Sequence, residues 1–159
     1  MKRTTRDARF VRALIFLGTL SAVGAQSLSA LAAESVGTIK SISGTARLER
    51  GSAVIPLTVG LAVEPNDRII TSQASSVGLT LKDDTLLAIG SRSTFTVEKF
   101  AFNPTTQTGS LGVRIWAGTL RMISGLIAKQ NPTEVKVSTR NATIGVRGTD
   151  FIVEVPADE

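Results

Sequence analysis

Short runs in which every second residue is apolar fill the chain after residue 34, and no sustained 3.6-residue apolar period appears there. Side chains alternate across an extended strand, so each run predicts a strand with one buried face. Residues 36–57 hold two or three of them: Val36, Thr38, Ile39 and Ile42, then Ala46 and Leu48, then Val54, Ile55 and Leu57. Ser43-Gly44, Arg50-Gly51-Ser52 and Glu64-Pro65-Asn66-Asp67 supply turns. Val77, Leu79 and Leu81 alternate up to Asp83-Asp84, and Leu86, Leu87 and Ile89 continue beyond, which predicts a hairpin with both aspartates at a solvated tip. Phe95, Val97, Phe100 and Phe102 mark the next strand, and 103–110 a polar loop.

The second half follows the same plan. Leu111, Val113 and Ile115 share one face, Arg114 and Trp116 the other, and Ala117-Gly118 predicts a turn. "LIAKQNP" (126–132) suits a short helical turn that Asn131-Pro132 ends. Val135 and Val137, then Phe151, Val153 and Val155, complete the pattern. About ten short strands at intervals of roughly 8–12 residues predict an all-β domain of stacked short strands, as a β-sandwich or a solenoid-like stack. Gly-Thr recurs at 37–38, 44–45, 118–119 and 148–149, which leans toward the stack, although its irregular spacing leaves both arrangements open.

The first 33 residues differ in kind. Lys2, Arg3, Arg6, Arg9 and Arg12 precede the apolar run 13–25, and Ala30-Leu31-Ala32 follows. A basic start, an apolar core of about a dozen residues and a small-residue cut site predict a helical secretory signal peptide over 1–33, cleaved after Ala32 or Ala33, with the all-β domain at 34–159. The run falls short of the roughly 20 apolar residues of a membrane span. The expected destination is the periplasm or the cell exterior.

Cleavage would change the charge balance. The whole chain has 18 Lys and Arg against 13 Asp and Glu, but five bases and one acid lie in the leader, so 13 bases against 12 acids leave +1. Nucleic-acid binding needs a clustered basic face, and the remaining bases alternate with acids, which argues against it. With neither histidine nor cysteine, the chain lacks Ser-His-Asp and Cys-His nucleophilic systems, disulfides and the usual zinc ligands. Asp67, Asp83 and Asp84 are the remaining candidate acids, without the spacing of a calcium loop or a glycosidase pair. No catalytic residue, metal site or cofactor is expected.

One stretch stands apart: Ile144, Gly145, Val146, Arg147, Gly148, Thr149, Asp150 and Phe151. A phosphate-binding glycine loop opens a helix, whereas β-type sequence follows here and a Walker lysine is missing. The expected role is structural: the two glycines permit positive φ or close backbone approach, and Arg147 pairs with Asp150 across the turn.

These residues carry a resemblance. "ATIGVRGTDFIVEV" (142–155) resembles the closing signature of the FecR-type domain, A-x-x-G-V-R-G-T-x-F leading into a last strand. "GTARLERGSAVIPLTVGLAVEPNDRIIT" (44–71) is similar to the opening of that domain, 75–102 to its middle and "GTLRMISG" (118–125) to its second half. The family pattern has glycine where this chain has Asn66 and Asp84, both of which tolerate left-handed backbone. Siderophore-uptake regulators of the family carry an anti-sigma region and a membrane span before this module and a signalling subdomain after it. Only twelve residues precede the apolar run here and the chain stops at Glu159, so sigma-factor control is not carried over. The resemblance implies a free-standing exported interaction or sensory module whose partner is an envelope protein, with strand 150–155 as a candidate edge. The alternative is a glycan or cell-wall binding module that uses Trp116, Arg114 and Arg121.

Overall fold

The computed structural model describes residues 34–147 and 149–156. The leader and its cut-site residues Ala30, Ala32 and Ala33 lie outside them, as does Gly148. Among the described residues no helix is long and apolar enough to cross a membrane.

The chain is all-β, a single curled sheet whose two halves share one strand. One half runs β3 (Ala53–Pro56), β2 (Ala46–Arg50), β5 (Arg68–Thr71), β8 (Thr94–Asn103) and β9 (Thr108–Ile123). The other continues from β9 through β7 (Leu86–Ile89), β6 (Ser76–Leu81) and β1 (Gly37–Ser43) to the two-residue β4 (Ala62–Val63). On the opposite side of β9, its first half pairs with β10 (Val135–Ser138), which pairs with β11 (Thr143–Gly145). Its second half pairs there with β12 (Asp150–Val155). A solenoid would run neighbouring strands parallel; of the described pairs only β9 with β10 does so. The Gly-Thr dyads therefore mark no repeating coil.

Apolar alternation built these strands, and its phase slips locate the bends. In β9, Leu111, Val113 and Ile115 are buried at odd positions, Leu120 and Met122 at even ones. The switch falls where Thr94 faces Ala117 while Phe95 faces Ile115, leaving Trp116 as an extra residue in a bulge. Gly118 follows with φ near +88°, and a Cβ there would overlap Ser93. Ala117-Gly118 is thus a bend within one sixteen-residue strand, not the expected turn between two. A second bulge puts Glu98 between the pairs Val97–Val113 and Lys99–Gly112, and for that reason Phe95 and Val97 point to the core on odd positions while Phe100 and Phe102 do so on even ones.

The turns use the residues their geometry demands. In Glu64-Pro65-Asn66-Asp67, Asn66 has φ near +68° and the Asp67 N–H donates to the Glu64 carbonyl, a type II turn with proline at its second position. Asp84, with φ near +64°, closes the β6–β7 hairpin, while the Asp84 N–H donates to Leu81. Both residues thus occupy the left-handed positions suggested by glycine in the family pattern. A short helix α1 (Leu126–Gln130) and a 3-10 turn (Pro132–Glu134) carry the chain from β9 to β10, ending the helix at Asn131 as expected.

Both halves contribute to one core, with Leu48, Ile69, Phe95, Val97 and Val113 from the first, Ile39, Leu79, Ile89, Leu120 and Met122 from the second, and Ile127, Val135 and Val137 beyond β9. Each is at most 1 % exposed, and fully burying such a side chain contributes on the order of 2 kcal/mol.

Candidate functional site

The stretch 144–151 joins two edge strands, β11 and β12. Ile144 and Gly145 end β11, which pairs with β10 through Val137–Ile144 and Lys136–Gly145. Val146 then turns inward to 5 % exposure, and its N–H donates to the Val135 carbonyl at 3.4 Å. The Ser124 N–H donates to the Thr149 carbonyl at 2.8 Å, holding the corner against the end of β9. From Asp150 the chain runs antiparallel to β9, with Asp150 opposite Ile123 and Val155 opposite Gly118. Among the described residues β11 pairs with β10 alone and β12 with β9 alone, so each presents a free edge. Between them lies a groove of about 320 Å³, lined by Ile144, Val146, Arg147, Phe151, Ile152 and Val153. Phe151, Val153 and Val155 pack on the core but stay half-buried, while Ile144 is 40 % and Ile152 65 % exposed.

The expected Arg147–Asp150 pair does not form. Arg121 on β9 takes the Asp150 carboxylate with both ends of its guanidinium, Nε to Oδ1 at 3.0 Å and Nη2 to Oδ2 at 2.6 Å. Register explains it: Arg121 faces Ile152 across the ladder, so Asp150, two residues back on the same face, is its diagonal neighbour. The hydrogen bond from Arg121 holds the Asp150 carboxyl below its ordinary value, and the same bond raises Arg121. Arg147 is exposed and without an ion pair among the described residues. Gly145 needs no special geometry either: it lies in an edge strand, and a Cβ there would meet open space.

The clamped pair of this fold lies elsewhere, where sequence reasoning saw a turn. Arg50 donates to Asp67 from Nε at 2.8 Å and Nη2 at 2.6 Å, to the Ala62 carbonyl at 3.0 Å, and pairs with Glu64 at 2.6 Å. The Asp67 side chain is 1 % exposed and also accepts the Glu64 N–H at 2.8 Å. Arg50 is raised, first by its bond to Asp67, against the opposing effect of burial. Asp67 is thereby committed to structure rather than free as an acid. Asp83 also departs from expectation: only Asp84 is at the solvated tip, while Asp83 is buried and accepts from the Thr85 N–H at 3.2 Å and hydroxyl at 2.8 Å. The Thr85 hydroxyl accepts the Gly125 N–H, and a Cβ on Gly125 would overlap the Asp83 carbonyl and the Thr85 amide. That close approach is the unrecognised reason for glycine at 125. Among the described residues no acidic cluster gathers that could hold a metal ion.

The model of the FecR protein family matches residues 67–159, more than half of the chain. This chain belongs to the FecR family. The family is signalling-related and envelope-associated. The match begins at Asp67 and contains β11, the corner, β12 and the groove of this FecR protein, while the resemblance noted over 44–66 lies outside it. Comparison with curated proteins and with solved structures returns no match.

The alternative glycan surface is dispersed in this FecR chain. The two bulges set Glu98 and Trp116 on either side of Arg114, which bonds Glu98 and lies 4.9 Å from the centre of the Trp116 ring. The Arg68 guanidinium lies over the same ring at 5.9 Å. Trp116 is half-buried, with its indole N–H buried and unbonded among the described residues. Arg121 belongs to the Asp150 pair on the other half-sheet and does not join Arg114 and Trp116.

Proposed function

We propose that this FecR protein, exported and cleaved near Ala32 or Ala33, is a non-catalytic protein-interaction module of the bacterial envelope, and that it engages an envelope protein through the edge built by residues 144–155. One observation carries the reading: the signature stretch ends in two free strand edges around an apolar groove, with Ile152 65 % exposed beside it. An unpaired edge offers backbone donors and acceptors at fixed spacing, which is the chemistry of strand recognition rather than of bond cleavage. Of the three candidate acids, Asp67 is engaged by Arg50 and Asp83 by Thr85, while Asp84 stands alone at the solvated hairpin tip. The glycan reading is weaker, because a sugar stacking on Trp116 has to displace guanidinium groups already over the ring.

A photo-crosslinking side chain at position 152, expressed in cells with an intact envelope, tests it. Position 54 is the control, because Val54 is 63 % exposed on β3 at the other end of the sheet. The expected result is a discrete envelope-protein adduct from 152 and none from 54, with the mature chain beginning at residue 33 or 34 by N-terminal sequencing. An adduct absent from 152, or a chain retaining its leader in the cytoplasm, would overturn the reading.

A further inference from the structure

The edge has a definite chemistry. Along β12, Asp150, Ile152 and Glu154 share the exposed face, and Phe151, Val153 and Val155 turn toward the core without being covered. An incoming strand continues this alternation, so it needs an apolar residue at every second position to cover the inner row. Two charges beside the edge are unused among the described residues: Glu154 toward the end of β12 and Arg147 at the corner before it. Asp150, by contrast, is already engaged by Arg121.

We infer that β12 receives, by strand addition, an extended segment of a different protein, apolar at alternate positions, with a basic residue opposite Glu154 and an acidic one near Arg147. A second copy of this chain is a poor occupant. Antiparallel pairing of two β12 strands about Ile152 sets Asp150 of one copy opposite Glu154 of the other, so Glu154 meets a carboxylate already held by Arg121 instead of a basic partner. The inference rests on the edge reading above and adds the mode of binding and the chemistry of the segment.

The test uses the full chain as purified from expressing cells and a labelled nine-residue peptide, valine alternating with threonine, with lysine near one end and glutamate near the other. A proline-interrupted peptide of the same charge is the control. Fluorescence anisotropy is expected to give saturable binding of the first peptide only, with amide exchange slowed in 150–155. The Glu154→Lys variant, altered at an exposed position, is expected to bind it at least about tenfold more weakly, a loss of about 1.4 kcal/mol, and to recover when the peptide lysine becomes glutamate. Absence of binding, equal binding of the proline control, slowed exchange outside 150–155, or indifference to the charge exchange each overturns the inference. So does self-association that protects β12 at rising protein concentration. Because the crosslinking experiment is independent of strand geometry, an envelope adduct from 152 together with a failed peptide test removes this inference and leaves the envelope-partner reading standing.

Discussion

Of the three arginine–carboxylate forks among the described residues, Arg50–Asp67 and Arg121–Asp150 tie strands together at different places and do different things. Arg50–Asp67 ties β2 to the start of β5, with the carboxylate side chain 1 % exposed and a backbone N–H as third donor. Arg121–Asp150 ties β12 to β9 with side chains 53 % and 43 % exposed. Water competes little for the first and fully for the second, so the first fixes a corner of the core while the second only aligns an edge. The contrast separates a closed region from one left open for another chain.

Breaking the buried fork has the largest expected effect. Arg50→Ala leaves the Asp67 carboxylate buried without its cation and is expected to cost about 3 kcal/mol of unfolding free energy, the low end for a broken buried pair because Arg50 itself is partly wet. Urea unfolding measures it. Asp67→Asn keeps the shape and leaves an arginine that is already 32 % exposed, so about 2 kcal/mol is expected. An unchanged midpoint for either variant would remove the distinction between the two regions.

At the exposed fork, Arg121→Gln is expected to leave the thermal midpoint unchanged while amide exchange in 150–155 quickens, since the edge loses only its alignment. Smaller still is the pH effect. The Asp150 carboxyl is depressed by Arg121, so its contribution is present above the ordinary aspartate value and fades as pH falls through the lowered folded value. Carboxyl NMR is expected to show Asp150 titrating below the ordinary aspartate range and returning to it in Arg121→Gln. The smallest change is Gly145→Ala, where a Cβ meets open space and the midpoint is expected to hold.

Most of the strands were legible because alternation is a local consequence of burying one face: Leu111, Val113 and Ile115 in β9 and Val135 and Val137 in β10 are core residues as their spacing predicts. The turns were legible for the same local reason, through proline at 65 and residues tolerant of left-handed backbone at 66 and 84. What failed was pairing. Arg147 and Asp150 are neighbours along the chain, but ladder register hands Asp150 to Arg121, 29 residues away. The fork of Arg50 with Asp67 spans 17 residues and left no periodic trace. The turn at Ala117-Gly118 was misread because positive φ marks a bend inside a bulged strand as readily as a reversal between two. Asp83 was misread because adjacent aspartates look alike in composition, while only one of them tops the hairpin.

The sharing of β9 between both half-sheets has a consequence for the order of events as the chain is made. The first eight strands form two groups that the ladder joins only through β9, β8 pairing with its residues 108–117 and β7 with its residues 120–123, so the two groups cannot be joined before that strand has emerged. β12, which seals the far side of that same strand, arrives last. A polypeptide synthesised from its N-terminus can therefore pair strands within each group early, yet becomes one sheet only late, when β9 bridges them.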